Sequence, residues 1–498
     1  MEDQLTLNDL KEAVRAAAAF RSRTKLRPIG EDGDKVFPPT YAGGVYAVED
    51  RRIDGRVVRC VLLDSVQSQA NRMEDVLQEA FLPNWRELPR DGEDPSCDLP
   101  VLAVYVDNHG WVTSLTAPHR IHDAILRDSE IEEEKSGQKR RVRFRDSEVG
   151  QVIVAARPHN ATPFYRYCPT ALLFGTWDST AGEGSDSAKV PRAVVSEIIG
   201  VDITAGVRTA SRIDPLGIKA QSATIYRRTD RGWAFQDSDG GWVGAQLEDL
   251  EKDKDGNPKK FGKGKPSDIN HGNHPPHMPR FEDTEIRQQN LNRLADILES
   301  SPLKLRFDLD SADGRLESHT ALDSERVRIR AGAIKPGGVT MAYALHTWTL
   351  SLTQLRRLRF PVSGEFNENR NNAARTVLAA LAIYALALQH AHGCWLRSRC
   401  DLVPIAAAEN GAAVLEQINA DGTAADFAFP SVQTAKQLLA GALGGAESGA
   451  EAEIGWEKRV IRLTPTEQLR RLVELSDGRQ PEEADEEPVV ADDAGDQG

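Results

Sequence analysis

Ser65, Ser68, Gln69 and Arg72 recur at i, i+3, i+4 and i+7, with Asn71 beside them. On a helix these side chains form one polar face. An ordinary solvated face carries Glu and Lys. This one carries amides, hydroxyls and a guanidinium close to a helix N-terminus, a set suited to phosphate and sugar oxygens. The elements that must position it are legible around it. Val57, Val58, Val61, Leu62 and Leu63 read as a strand, and from Asp64 the apolar period turns helical. Val66, Ala70, Met73, Leu77 and Ala80 then fall along one buried stripe. Asp64 is the expected N-cap, with Gln67 three residues on. A polar face with no ligand is the plainer alternative for these residues taken alone.

A second cationic pattern lies downstream. Arg141, Arg143 and Arg145 alternate with Val142 and Phe144, so in a strand the arginines share one face at intervals of roughly 6.6 Å. Such a ladder can track a phosphate backbone, or it can be a solvated face balanced by Glu132 to Glu134. Arg326, Arg328 and Arg330 repeat it. The aliphatic run 193–203 leads into Thr204, Gly206, Arg208, Thr209, Ser211, Arg212 and Gly217, where glycine permits close approach and hydroxyls and arginines suit phosphate. No GK[ST] follows, so the loop reads as a polymer cradle more readily than a nucleotide pocket.

The remaining elements frame these patterns. Leu5 to Phe20 reads as a helix, followed by RSRTKLRP with its four cations. Residues 99–106 and 111–115 bracket a hairpin turn, and Trp233 and Trp242 flank another. Leu345, Trp348, Leu352 and Leu355 predict a helix within 340–359, and 371–390 a helix buried all round. Residues 282–298 read as an amphipathic helix, 441–455 as a small-residue linker and 251–281 as a lysine-rich flexible loop.

Composition narrows the class. Hydrophobic content of 40% and charged content of 28% over 498 residues describe a soluble globular chain with a sizeable core. The net charge of −14 argues against a generally basic nucleic-acid coat, so binding must rest on local patches. Five scattered cysteines and an N-terminus without an apolar h-region predict a cytoplasmic protein. The apolar stretch 377–388 is too short to span a bilayer, and no membrane partner is expected. The spacings of His271, His274 and His277, and of His390, His392, Cys394 and Cys400, match no familiar zinc pattern. No catalytic triad can be assembled by spacing, and no cofactor is expected.

The strings LLDSVQSQANRMEDVL (62–77), TALLFGTWDST (170–180) and PRAVVSEIIGVDITAGVRTASRIDPLGI (191–218) resemble the RAMP-type backbone subunit of the type I-G, formerly I-U, CRISPR effector, the Csb-one or GSU family. The resemblance implies an α+β fold: an RRM-like, ferredoxin-type palm with long insertions acting as thumb, finger or web. It implies a single domain over 1–476 with insertions at about 131–150 and 219–281, which the resemblance itself does not cover; composition, not the resemblance, predicts an acidic disordered tail at 477–498. The resemblance implies a non-catalytic subunit of a Cascade surveillance complex. Copies would polymerise along a CRISPR RNA and present it for pairing with target DNA, beside a large subunit and a fused RAMP processing and capping subunit. RAMP proteins use a glycine-containing loop for RNA, which implies contacts from Arg208, Thr209, Ser211 and Arg212. Type III backbones cut RNA with a loop aspartate, so an endonuclease using Asp202 or Asp214 is the enzymatic alternative. A sugar or nucleotide enzyme with the Gly206 loop as phosphate cradle is a third.

Overall fold

The computed structural model describes residues 3–41, 46–135, 138–178, 189–207, 224–230, 232–254, 256–260, 336–405, 413–446 and 454–477, with the paired strands Arg315–Leu316 and Ile329–Arg330. The chain divides into two compact units, one of residues 1–39, 47–204 and 339–498, the other of residues 40–46 and 205–338.

The larger unit is built on a nine-stranded sheet. Its strands are β1 (Ala19–Pro28), β2 (Val48–Ile53), β3 (Arg56–Asp64), β4 (Val194–Val207), β5 (Pro336–Ser351), β6 (Cys394–Arg397), β7 (Cys400–Pro404), β8 (Val414–Ile418) and β9 (Ala424–Ala428). The spatial order is β6-β7-β1-β5-β4-β3-β2, with β8 pairing β1 and β9. Helices α1 (Leu7–Ala16), α2 (Val66–Phe81), α3 (Glu368–His392) and α4 (Val432–Ala446) supply the apolar layer against one face. Phe20, Trp348 and Leu350 project into that layer. α3 is buried nearly all round, as its composition predicts. Its length and hydropathy would suit a membrane span, but here it is the core helix that the other three pack around.

A second sheet, in the order Gly110–Thr113, Val101–Val106, Val460–Pro465, Ser129–Lys135, Gln138–Arg143, completes this unit. It contains the expected hairpin at 101–113. Between α2 and the 3-10 turn Arg120–His122, both groups buried, Arg120 grips the Glu74 carboxylate with two bonds of 2.7 Å. The helix Thr170–Phe174 is wholly buried, and Gly175 turns at φ +82°, where a Cβ would strike the Arg192 side chain. The described part of the smaller unit includes a three-stranded sheet of Ile225–Arg227, Trp233–Gln236 and Trp242–Val243, with the expected tryptophan hairpin in it, and the strand pair 315–316 with 329–330. Tyr226 packs edge-on against Trp242 at 4.9 Å.

Three sequence expectations are corrected. The first helix ends at Ala16, capped at its start by a Thr6–Asp9 capping box, and a strand already runs from Ala19. Residues 340–351 are strand, not helix. Thr340, Tyr343, Thr347, Trp348 and Thr349 favour an extended chain, and eight residue pairs with β1 fix the register. The i, i+3 spacing of Leu345 and Trp348 thus places them on opposite faces, and only Leu352–Leu355 is helical. Residues 441–446 belong to α4 rather than to a linker. Residues 282–298 and 478–498 lie outside the described residues.

Candidate nucleic-acid interface

The strand-to-helix unit forms as read, but its polar face points inward. Asp64 ends β3 fully buried, so it is not the cap. Ser65, extended at φ −78°, caps α2 by accepting the Ser68 N–H. The Asp64 carboxylate instead accepts from Ser68 Oγ (2.8 Å), Gln69 Nε2 (2.6 Å) and Arg72 Nε (2.9 Å), with Arg397 Nη2 at 3.4 Å. Gln69 is fully buried. Its Oε1 accepts from Ser196 Oγ at 3.0 Å and Gln389 Nε2 at 2.9 Å, and Ser196 Oγ lies 2.9 Å from His346 Nε2. Arg72 also donates to the carbonyls of Trp395 and Leu396. Ser68, Gln69 and Arg72 therefore tie α2, β3 and β6 together around a buried charge. Of the five residues, Asn71 is the one that is exposed.

The arginine ladder is partly realised. Lys139, Arg141 and Arg143 line one face of an exposed edge strand, opposite Glu134, Glu132 and Glu130. Arg141 and Arg143 make no ion pair among the described residues, although Glu132 is engaged by Lys139 at 2.7 Å. Arg145 leaves the ladder because the strand ends at Arg143. A 3-10 turn redirects it onto buried Asp178 at 3.0 Å. The acids across the hairpin offset much of the ladder's field, as the sequence alternative anticipated. Arg208, Thr209, Ser211, Arg212 and Asp214 lie outside the described residues, as do His271, His274, His277, Arg326 and Arg328.

The structure adds a ladder that the sequence reading passed over. In β1, Phe20, Ser22, Thr24 and Leu26 are buried, which leaves Arg21, Arg23, Lys25 and Arg27 on the face away from the helices. Arg23 and Lys25 are exposed. The Lys25 ammonium stands 4.8 Å from the Tyr343 ring centroid on neighbouring β5. Thr347 and Thr349 oppose Arg23 and Arg21. Glu416 neutralises Arg21 with two bonds of 2.7 and 3.0 Å, and Arg27 has Glu31 at 3.7 Å. Positive potential is thus centred on Arg23 and Lys25, beside an aromatic ring and hydroxyls. The signal was present as period-two cations in RSRTKLR. It was masked because the buried alternates are the small polar Ser22 and Thr24 rather than an apolar series.

Residues 20–205, from β1 through most of β4, match the family model described as CRISPR-associated protein GSU0053. No curated protein matches the chain. The matched segment contains the cationic strand, Asp64 with α2, and the hairpin ladder, while His346, Gln389, Arg397 and Tyr343 lie beyond it. By that match residues 20–205 resemble the GSU0053 family of CRISPR-associated proteins.

Proposed function

We propose that the chain is the CRISPR-RNA-binding backbone subunit of a type I-G Cascade complex. It acts in the cytoplasm without catalysing a reaction, and copies polymerise along the guide to present it to target DNA. The observation that carries this reading is the exposed Arg23 and Lys25 pair, without an ion pair among the described residues, beside Tyr343 on the sheet face opposite α1–α4. A protein of net charge −14 gains little from a solvated cationic stripe, whereas sheet-borne aromatics flanked by cations suit single-stranded RNA. The chain path supports an RRM-like palm. β1, α2, β4, β5, α3 and β7 follow in sequence, with β7-β1-β5-β4 as neighbours, the order of a ferredoxin-like βαββαβ unit. The long segment between β4 and β5 then stands as an insertion into that palm. Base pairing would read sequence while the protein holds backbone.

The test is co-expression with a CRISPR array and the partner subunits, followed by extraction of bound RNA and size-exclusion chromatography. A discrete guide-length RNA in an oligomer is expected. The double substitution Arg23→Ala and Lys25→Ala should weaken single-stranded RNA binding and lower its log–log salt slope by about 1.4, two cations at roughly 0.7 each. A folded monomer carrying no RNA beside its partners would overturn the reading.

One observation favours the endonuclease alternative. Asp202 is exposed on β4 with φ +56°, a conformation that concentrates at functional sites. Cleavage of bound RNA that is abolished by Asp202→Asn would decide for that alternative.

A further inference from the structure

Trp395 is among the most exposed large apolar residues of the chain, at 64%. It stands on β6, the edge strand of the large sheet. Its face follows from the register. Val403 opposes Arg27 on β1, and Asp401, two residues before Val403 on the same strand, opposes Trp395. Directly opposed and alternate residues share a face. The indole therefore stands on the face opposite α1–α4, which carries Arg23, Lys25, Arg27 and Tyr343, two strand spacings or about 10 Å from β1.

Its backbone is held unusually firmly for an edge. Arg72 donates to the Trp395 carbonyl at 3.4 Å and to the Leu396 carbonyl at 2.8 Å, while Arg397 donates to the Leu63 carbonyl at 2.7 Å. Both arginines are anchored on buried Asp64. Exposed apolar surface on a fixed backbone loses little entropy when a partner covers it. The charge around it selects the partner. The far end of the ladder is neutralised by Glu416 on Arg21, which leaves Arg23 and Lys25 nearer the Trp395 end. At the turn after β6, Arg399 holds φ +58° with its guanidinium 5.0 Å from the Phe37 ring. Asp401 opposes Trp395, and exposed Ile29 donates its N–H to the Asp401 carbonyl; neither supplies a continuous apolar patch.

We infer that Trp395 is a base-stacking platform for single-stranded RNA, a second aromatic contact beyond Tyr343 on the same sheet face. The inference rests on the RNA-binding reading above. Asp64, through Arg72 and Arg397, is the positioning residue that fixes this platform without touching the ligand.

The test uses the full chain and a 5′-fluorescein-labelled 30-nucleotide RNA of mixed sequence, titrated by anisotropy at several salt concentrations. Trp395→Ala should weaken binding roughly tenfold, since a stacked base is worth about that much or more. The salt slope should stay unchanged, because no phosphate contact is lost. Trp395→Phe should keep most of the affinity and Trp395→Leu should not. Unchanged affinity in Trp395→Ala, a changed slope, or equal rescue by Leu would overturn the inference while leaving the RNA-binding reading intact. So would a loss of self-association with RNA affinity retained, which would make the site a protein contact. Failure of the wild-type chain to bind RNA, alone or with its partners, would instead overturn the functional reading on which the inference stands.

Discussion

At Asp64 one buried carboxylate holds Ser68, Gln69, Arg72 and Arg397. Removing it would leave two guanidinium groups without their counter-charge. Asp64→Ala is expected to cost about 3–5 kcal/mol, measured by urea unfolding. Asp64→Asn should cost less because an acceptor remains. Proton counting fixes the rest of the network. Gln69 Nε2 donates to Asp64, so its Oε1 must accept, and the single Ser196 proton goes there. His346 Nε2 must then carry a proton and donate to Ser196 Oγ. Burial pushes His346 down to about 4 from the ordinary 6.5. The unfolded chain therefore takes up a proton as pH falls below about 6.5, while the folded chain resists until about 4, and stability is lost across that window. Glu74 runs the opposite way, since burial pushes it up to about 7 against the attraction of Arg120. The His346 contribution is isolated by comparing His346→Gln with wild type. Between pH 7.5 and 4.5 the wild type should lose up to roughly 3 kcal/mol more than the variant; parallel losses would sink the assignment.

Among the elements, those whose partners are local were legible and those settled by distant partners were not. The β3-to-α2 unit and the all-apolar α3 form as their own periodicities predict. The inward turn of Gln69 could not be read, because Ser196, His346 and Gln389 lie more than a hundred residues away and only the sheet brings them together. β5 was misread for the same reason, since its register comes from β1 across hundreds of residues. Arg356 follows the short helix Leu352–Leu355 but serves as a C-terminal cation for a different helix. It donates to the Val14 and Ala17 carbonyls at the C-terminal end of α1, at 3.0 and 2.7 Å. A local constraint gives the sharpest test at this scale. The helix Glu148–Val154 begins with Ser147 accepting the Gly150 N–H, and a Cβ on Gly150 would overlap the Phe144 carbonyl oxygen. Backbone cannot yield as a side chain can, so Gly150→Ala should lose about 1–3 kcal/mol or more and lower the melting temperature. A variant as stable as wild type would show that the 3-10 turn redirecting Arg145 is soft.

For the whole molecule, the question is how a chain of net charge −14 attracts a polyanion. Residues 478–498 carry eight acidic residues and Arg479, a net charge of −7, half of the total in a small fraction of the length. Part of the remaining acid pairs with arginines. Glu416 on Arg21, Glu197 on Arg51 and Asp178 on Arg145 each neutralise a cation that would otherwise add to the field. Exposed Arg23 and Lys25 of β1 therefore act at short range, within a Debye length of about 10 Å at 0.1 M salt, while the terminal residues contribute a long-range repulsion. Truncation after Asp477 should then raise RNA affinity and association rate at low ionic strength. The gain should fade as salt approaches about 0.5 M, where screening removes the distant charge but not the stacking and hydrogen bonding at the sheet. A salt-independent gain would mean that residues 478–498 occupy the binding face themselves. No change at any salt would mean that their charge is already neutralised, and that the sheet's own ladder sets the whole of the electrostatic response.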